Sequence, residues 1–187
     1  MGFNPRLNYN GMLNNFYWYS DNPFYQSNYG LPNCTCYAYG RFWEISDPKR
    51  IKENKPVNLP LSDGGKWFGQ AVQKGYYQTG QKAKLGAVAC FSRNGGGAGH
   101  VAIVEAIDEF ENITTSNSAY NSKYFYISNL QKSNNYNTSS YTFLGFIYNP
   151  FAENESPGVE TPIEDEEDEQ KKFPWQIFTN IYRKKRQ

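Results

Sequence analysis

The sequence predicts an α+β domain in which N-terminal helices pack on an antiparallel sheet of about five to six strands. Two helix-forming segments, each opened by a capping residue, fall before Gly75. Beyond Gly75 the apolar pattern changes period, and at least five short runs rich in Val, Ile, Phe and Tyr follow one another. Helices first and consecutive strands after is the pattern of an α+β domain with an antiparallel sheet. A chain of 187 residues has room for one ordinary domain and a small appendage.

Taken in order, residues 1–31 are rich in Asn, Tyr, Pro and Gly. The turn signals Asn22-Pro23-Phe24-Tyr25 and Tyr29-Gly30-Leu31-Pro32 predict a wrapped arm rather than regular structure. Pro32 cannot sit inside a helix and Asn33 is a favoured N-cap, so a helix is expected from Cys34 to Glu44 or Ile45, stopped by Asp47-Pro48. That register sets Cys34, Ala38, Phe42 and Ile45 on one face. Ser46 to Pro60 reads as a surface loop, and Ser62-Asp63 caps a second helix carrying Trp67, Phe68, Ala71 and Val72. The strand candidates are Ala87–Phe91, His100–Ile107, Ile113–Ser116, Tyr124–Ser128 and Tyr141–Tyr148. At Asn149-Pro150 this pattern stops. The organisation expected is a domain over 1–150, an acidic Pro/Gly linker over 151–170 that repels itself, and a short aromatic and basic segment over 171–187.

The 16 Tyr and 13 Phe suit a small β-rich core whose phenols keep one polar end in water, or a groove that stacks sugars or peptides. Residues 1–150 hold 13 basic against 9 acidic side chains, a weak excess compatible with an anionic polymer. No nucleic-acid-binding motif accompanies it. The N-terminus reads as lacking a secretory signal, and no apolar run is long enough to span a bilayer. Three cysteines, two of them only two apart, make a poor disulfide framework.

Cys34 at a helix mouth is the candidate nucleophile. The unpaired N–H groups and the positive dipole end favour thiolate, lowering a thiol from about 8.5 into the range of roughly 3.5–7.5 when a cationic histidine also approaches. The one histidine, His100, follows a Gly-rich loop and opens the strongest strand, where reactive groups are commonly displayed. The loop is no phosphate cradle, since no Gly-Lys-Ser/Thr follows. A Cys/His pair needs a third group to fix the imidazole. With a turn near Glu109–Glu111, Asn117 returns beside His100 and its amide oxygen can accept a ring proton. Cys34, Cys36, Cys90 and His100 also carry the donors of a structural zinc centre, but Cys-x-Cys on a helix diverges and Cys90 lies in an apolar strand. Cys36 and Cys90 therefore read as small buried hydrophobes, and no cofactor or metal is expected.

These blocks resemble the CHAP family of cysteine- and histidine-dependent amidohydrolases and peptidases, which have a papain-like fold. The resemblance covers residues 14–150 and rests on Asn33-Cys34-Thr35 with Tyr37-Ala38 and Gly40-Arg41, on Lys84-Leu85-Gly86-Ala87-Val88, on Gly99-His100-Val101-Ala102-Ile103-Val104-Glu105, and on Ile113-Thr114-Thr115-Ser116-Asn117-Ser118. The closing Phe143–Pro150 looks like members from phages of Gram-positive bacteria. The resemblance implies Cys34 as nucleophile, His100 as general base and Asn117 as third member, where Glu is common in the family. It implies acyl transfer at an amide of bacterial peptidoglycan, by a muramoyl-alanine amidase or a peptide endopeptidase acting as a phage lysin or virion-associated lysin. A catalytically inactive wall-binding or structural virion module is the alternative. Tyr37 and Trp67 are the candidate substrate-binding residues, with core packing the competing reading for Tyr37. Some members carry a calcium loop before the nucleophile, but Tyr25–Gly30 has no carboxylate to form one. Residues 171–187 are expected to dock on a virion tail partner. The protein is then expected in the virion, or in the host cytoplasm before release.

Overall fold

A computed structural model describes residues 3–47 and 57–152. The acidic linker beyond Ala152 and the segment 171–187 lie outside the described residues. The expected α+β architecture is the one observed. Three helices, α1 (Pro23–Gln26), α2 (Cys34–Ser46) and α3 (Trp67–Lys74), precede or flank strands β1 (Thr79–Gly80), β2 (Val88–Arg93), β3 (His100–Ile107), β4 (Ile113–Asn117), β5 (Tyr126–Leu130) and β6 (Tyr141–Ile147). The strands form one antiparallel sheet in the order β1-β6-β2-β3-β4-β5.

Helix α2 begins at the residue the sequence predicts. Asn33 is extended (φ −162°) and its Oδ1 accepts the Thr35 N–H at 2.9 Å, the N-cap bond that opens a helix. Burial is not confined to one face of this helix: Thr35 to Glu44 are all buried. The arm covers one side and the sheet the other. Trp18 Nε1 donates to the Tyr37 carbonyl at 3.1 Å and Asn22 Nδ2 to the Cys36 carbonyl at 3.1 Å. Gly40 makes that approach possible, because a Cβ there would lie 2.4 Å from Trp18 Cδ1. The wrapped arm expected from its turn residues is therefore present, with one short helical turn, α1, capped by Asn22.

Alternation along the strands sorts their side chains between two cores. Val88, Cys90, Val101, Ile103 and Ile147 pack with α2, while Ala89, Phe91, Ala102, Val104, Phe143 and Phe146 form the opposite core. Tyr136, from the β5–β6 connection, closes that second core, its hydroxyl donating to the Glu111 carbonyl at 2.9 Å. With both faces covered, β2 and β3 read as unbroken apolar runs.

A bulge between Val104 and Ala106 turns Glu105 inward. Arg41 Nε donates to Glu105 Oε1 and Nη2 to Oε2, both at 2.9 Å, and Nη1 donates to Glu44 Oε2 at 2.6 Å. The Arg6 backbone N–H reaches Glu105 at 2.7 Å, its guanidinium reaches Glu44, and Ser116 Oγ donates to Glu105 at 2.6 Å. This buried cluster ties the arm, α2, β3 and β4 together beneath the ends of β3 and β4. Acid–base bonding of this quality keeps Arg41 charged: the Glu105 and Glu44 carboxylates raise its pKa further against the cost of burial.

Several element boundaries shift by a residue or two from expectation, and three differences have a physical reason. β5 starts at Tyr126 rather than Tyr124, the register being set by pairing with β4 (Asn117 opposite Tyr126). The second helix starts as a 3₁₀ turn over Gly64–Lys66, and Asp63 makes no side-chain cap bond. β1, two residues paired with β6, was not legible because Thr79-Gly80 carries no apolar alternation.

Candidate active site

Cys34, His100 and Asn117 converge from three elements. Cys34 is the first residue of α2, His100 the first of β3, and Asn117 the last of β4. The β3–β4 hairpin pairs Ile107 with Ile113 and Ile103 with Ser116, which returns Asn117 to the His100 end as the turn at Glu109–Glu111 predicts. His100 Nε2 lies 2.9 Å from Asn117 Oδ1.

The amide of Asn117 cannot be turned the other way. Its Nδ2 donates to the Thr115 carbonyl at 3.0 Å and meets Thr115 Oγ1 at 3.1 Å. Its Oδ1 therefore faces the ring, and Nε2 must donate to it. The neutral imidazole then carries its proton on Nε2 and presents Nδ1 as the free base. Tyr126 stands over this pair: its hydroxyl is 3.4 Å from Nε2 and its ring stacks on the imidazole at 25° and 6.5 Å between centroids. Burial, with Cys34 and Tyr141 nearby, pushes the Tyr126 phenol up to about 12, so it stays protonated. Sequence reasoning placed Tyr126 on a strand and gave it no role; its register opposite Asn117 is the signal that finds it.

Cys34 is the half-buried member of the three cysteines, and Cys36 and Cys90 are fully buried. Cys34 and His100 line one open cleft of about 860 Å³, a size suited to a peptide or a sugar unit. The sulfur lies against the backbone N–H groups of Val101, Thr35 and Cys34 itself, each favouring thiolate. Burial outweighs them, and the Asp63 carboxylate adds to it, so the thiol is pushed up rather than down. Burial likewise lowers His100, against the Asn117 hydrogen bond. The lowered thiol expected from the sequence required a cationic histidine, and burial here acts against both charged forms. Burial thus favours the thiol and the neutral imidazole, and among the described residues Cys34 makes no hydrogen bond to the ring. Such bonds often tighten only in the substrate complex.

Asn33 adds a feature the sequence assigned only to capping. Its Oδ1 is taken by the N–H and the hydroxyl of Thr35, at 2.9 and 2.8 Å. The residue borders the cleft beside Cys34, so its amide NH₂ is a donor still to be used. Its own N–H is held by Ser118 Oγ at 3.0 Å, which anchors the helix mouth to the loop after β4.

Tyr37 and Trp67 do not belong to this cleft. Both side chains are fully buried in the α2 core, Tyr37 near Trp18 and Phe125, Trp67 against Phe24. The sugar or peptide contact expected of them has no surface through which to act. Cys36 Sγ points to the Trp18 carbonyl at 3.5 Å and Cys90 Sγ to that of Val88 at 3.9 Å, each in the core. Among the described residues no three His, Cys, Asp or Glu side chains converge as metal ligands.

Comparison with curated proteins gives no match. Among solved structures, an N-acetylmuramoyl-L-alanine amidase from Staphylococcus aureus is similar at 21% identity and a TM-score of 0.42, covering 62% of this chain and 32% of that one. The match thus spans about a third of that protein's length. The family model for the CHAP domain matches residues 24–119, just over half of the sequence, and takes in the helix mouth, the whole of β3 and the end of β4. This chain belongs to the CHAP domain family.

Proposed function

We propose that this protein is a peptidoglycan hydrolase that cleaves an amide bond of the bacterial cell wall through a cysteine acyl-enzyme. The observation that carries this reading is the fixed Asn117–His100 pair, which leaves Nδ1 basic in a cleft shared with a helix-mouth thiol. The Cys34 proton passes to His100 Nδ1, directly once substrate draws the two together or across one water. The sulfur attacks the amide carbonyl, and the Cys34 N–H, which has no intrahelical partner, and the Asn33 NH₂ receive the oxyanion. His100 then protonates the leaving amine, and water deprotonated by His100 hydrolyses the thioester. Tyr126 stacks on the imidazole and holds its plane.

Substrates of this class fit either a muramoyl-alanine amidase or a stem-peptide or cross-bridge endopeptidase. The biological setting proposed is a phage lysin or virion-associated lysin of Gram-positive hosts, acting on the wall during entry or release. Residues 171–187 are proposed to carry it to a virion tail partner; loss of particle incorporation on truncation after Pro150 is the check. Purified wall should clear with wild-type protein and stay turbid with Cys34→Ala, and mass spectrometry of the fragments names the bond.

A second reading, an inactive wall-binding or structural virion module, draws on the lack of a hydrogen bond between the sulfur and the imidazole and on the raised thiol pKa. Cys34-dependent release of new amino termini from wall excludes it.

A further inference from the structure

The cleft carries two charges of opposite sign that the chemistry above does not use. Asp63 is its one carboxylate and Arg93 its one permanent cation among the described residues lining it. They approach the β3 entrance from different elements. Asp63 leads the 3₁₀ turn Gly64–Lys66, whose Gly65 N–H donates to the Ala98 carbonyl at 2.7 Å. Arg93 ends β2, two residues beyond Phe91, the cross-strand partner of His100. Gly99 sits between the two: a Cβ on it would lie 2.4 Å from Gly65 Cα and 2.5 Å from the Phe91 carbonyl oxygen. Both charges therefore approach the start of the strand that presents His100, each from a different element.

Neither charge is committed elsewhere. Arg93 is exposed and has no ion-pair partner among the described residues. Asp63 meets Lys66 Nζ at 3.1 Å, but both side chains are more than half exposed, at 54% and 64%. An i,i+3 pair in that setting is worth a few tenths of a kcal/mol, so a ligand cation displaces it readily. A carboxylate also stands close enough to Cys34 to disfavour its thiolate. A cation arriving at Asp63 cancels that field as it binds.

Resting on the hydrolase reading, we propose that this cleft selects a peptide with both charges near the scissile amide, a free ammonium pairing with Asp63 and a carboxylate with Arg93. Asp63 and Arg93 are then specificity-determining residues, and a substrate whose amines are blocked is a poor one. The ammonium does two things at once: it anchors the peptide and removes a negative charge that opposes the nucleophile.

The test uses the full chain and disaccharide-peptide fragments released from purified wall by a glycosidase, in native, amine-acetylated and carboxyl-amidated forms. Calorimetry on the Cys34→Ala variant reads binding without cleavage. Each blocking step is expected to weaken binding by about tenfold, the worth of one charge-assisted contact. In Asp63→Asn the acetylation penalty disappears while the amidation penalty stays, and Arg93→Gln gives the reverse. Lys66→Gln frees Asp63 and strengthens binding of the native fragment by about twofold. Penalties below about twofold, or penalties that persist in the matching variant, overturn the proposal. Cleavage by the wild type is read in parallel. Turnover indifferent to both blocks overturns the charge selection and leaves the hydrolase standing. Charge-dependent binding without turnover supports the selection and sinks the hydrolase.

Discussion

Replacing Asn117 by Ala removes the acceptor that orients His100 and nothing else in the cleft. The bond concerned is 2.9 Å long and strengthens when the ring becomes imidazolium. A hydrogen bond to a charged group contributes about 1.5–3 kcal/mol. Its loss from the step in which the ring is protonated lowers kcat by roughly 10- to 150-fold. Tyr126, 3.4 Å from Nε2, remains stacked on the ring and limits the loss. KM should change little, because Asn117 is 2% exposed and is walled off by Thr115 and Tyr126. Initial rates on purified wall measure the effect. NMR adds an independent readout, since His100 is the one imidazole in the chain. Burial lowers its pKa and the Asn117 bond raises it, so the variant must titrate lower still. A rate within about threefold of wild type, with an unmoved imidazole titration, refutes the assignment of Asn117.

Four further outcomes follow from the same structure. Arg41→Leu leaves Glu105 and Glu44 buried without their shared cation and should destabilise by about 3–5 kcal/mol in urea unfolding; a loss under about 1 kcal/mol contradicts the buried network. His100 is depressed in the folded state, so its contribution to stability is complete above the unfolded value near 6.5 and is lost as pH falls below it. Melting temperature should therefore decline on mild acidification in wild type and hold steady in His100→Gln over the same interval. Cys34 is raised, so iodoacetamide should label it slowly at neutral pH and faster as pH climbs past about 9, with Cys36 and Cys90 unlabelled by mass spectrometry in the native protein. Gly99→Ala forces a Cβ into Gly65 and Phe91 at φ +72° and should cost about 2–4 kcal/mol while uncoupling the Asp63 turn from β3.

Local chemistry made much of this legible. Asn33 as a cap placed the mouth of α2 to the residue, because capping depends on two or three neighbouring positions. The 17-residue separation of His100 and Asn117 gave their pairing, because an antiparallel hairpin converts separation into register. What failed depended on contacts distant in sequence. Tyr37 and Trp67 look like cleft aromatics until the arm, which supplies Trp18 and Phe24, covers them. The burial of the sulfur is hidden for the same reason: helix-mouth N–H groups are local, and the burial that opposes them is not. The Glu105 bulge, which brings Arg6 and Arg41 onto one carboxylate, carries no pattern that periodicity detects.

The arm has a practical bearing on how this domain can be moved between proteins. The family match begins at residue 24, yet Arg6 reaches both Glu44 and Glu105, and the Asn4 carbonyl accepts from Arg41 at 2.6 Å. Asn149, on the far side of the match, clamps the end of α2 through the Phe42 carbonyl at 3.0 Å. A fusion cut at the homology limits discards both clasps, leaves Arg41 alone to pair two buried carboxylates, and removes strands β5 and β6. The portable unit must run from before Asn4 to beyond Asn149, so chimeras drawn from alignment borders alone are expected to be insoluble whatever their catalytic residues.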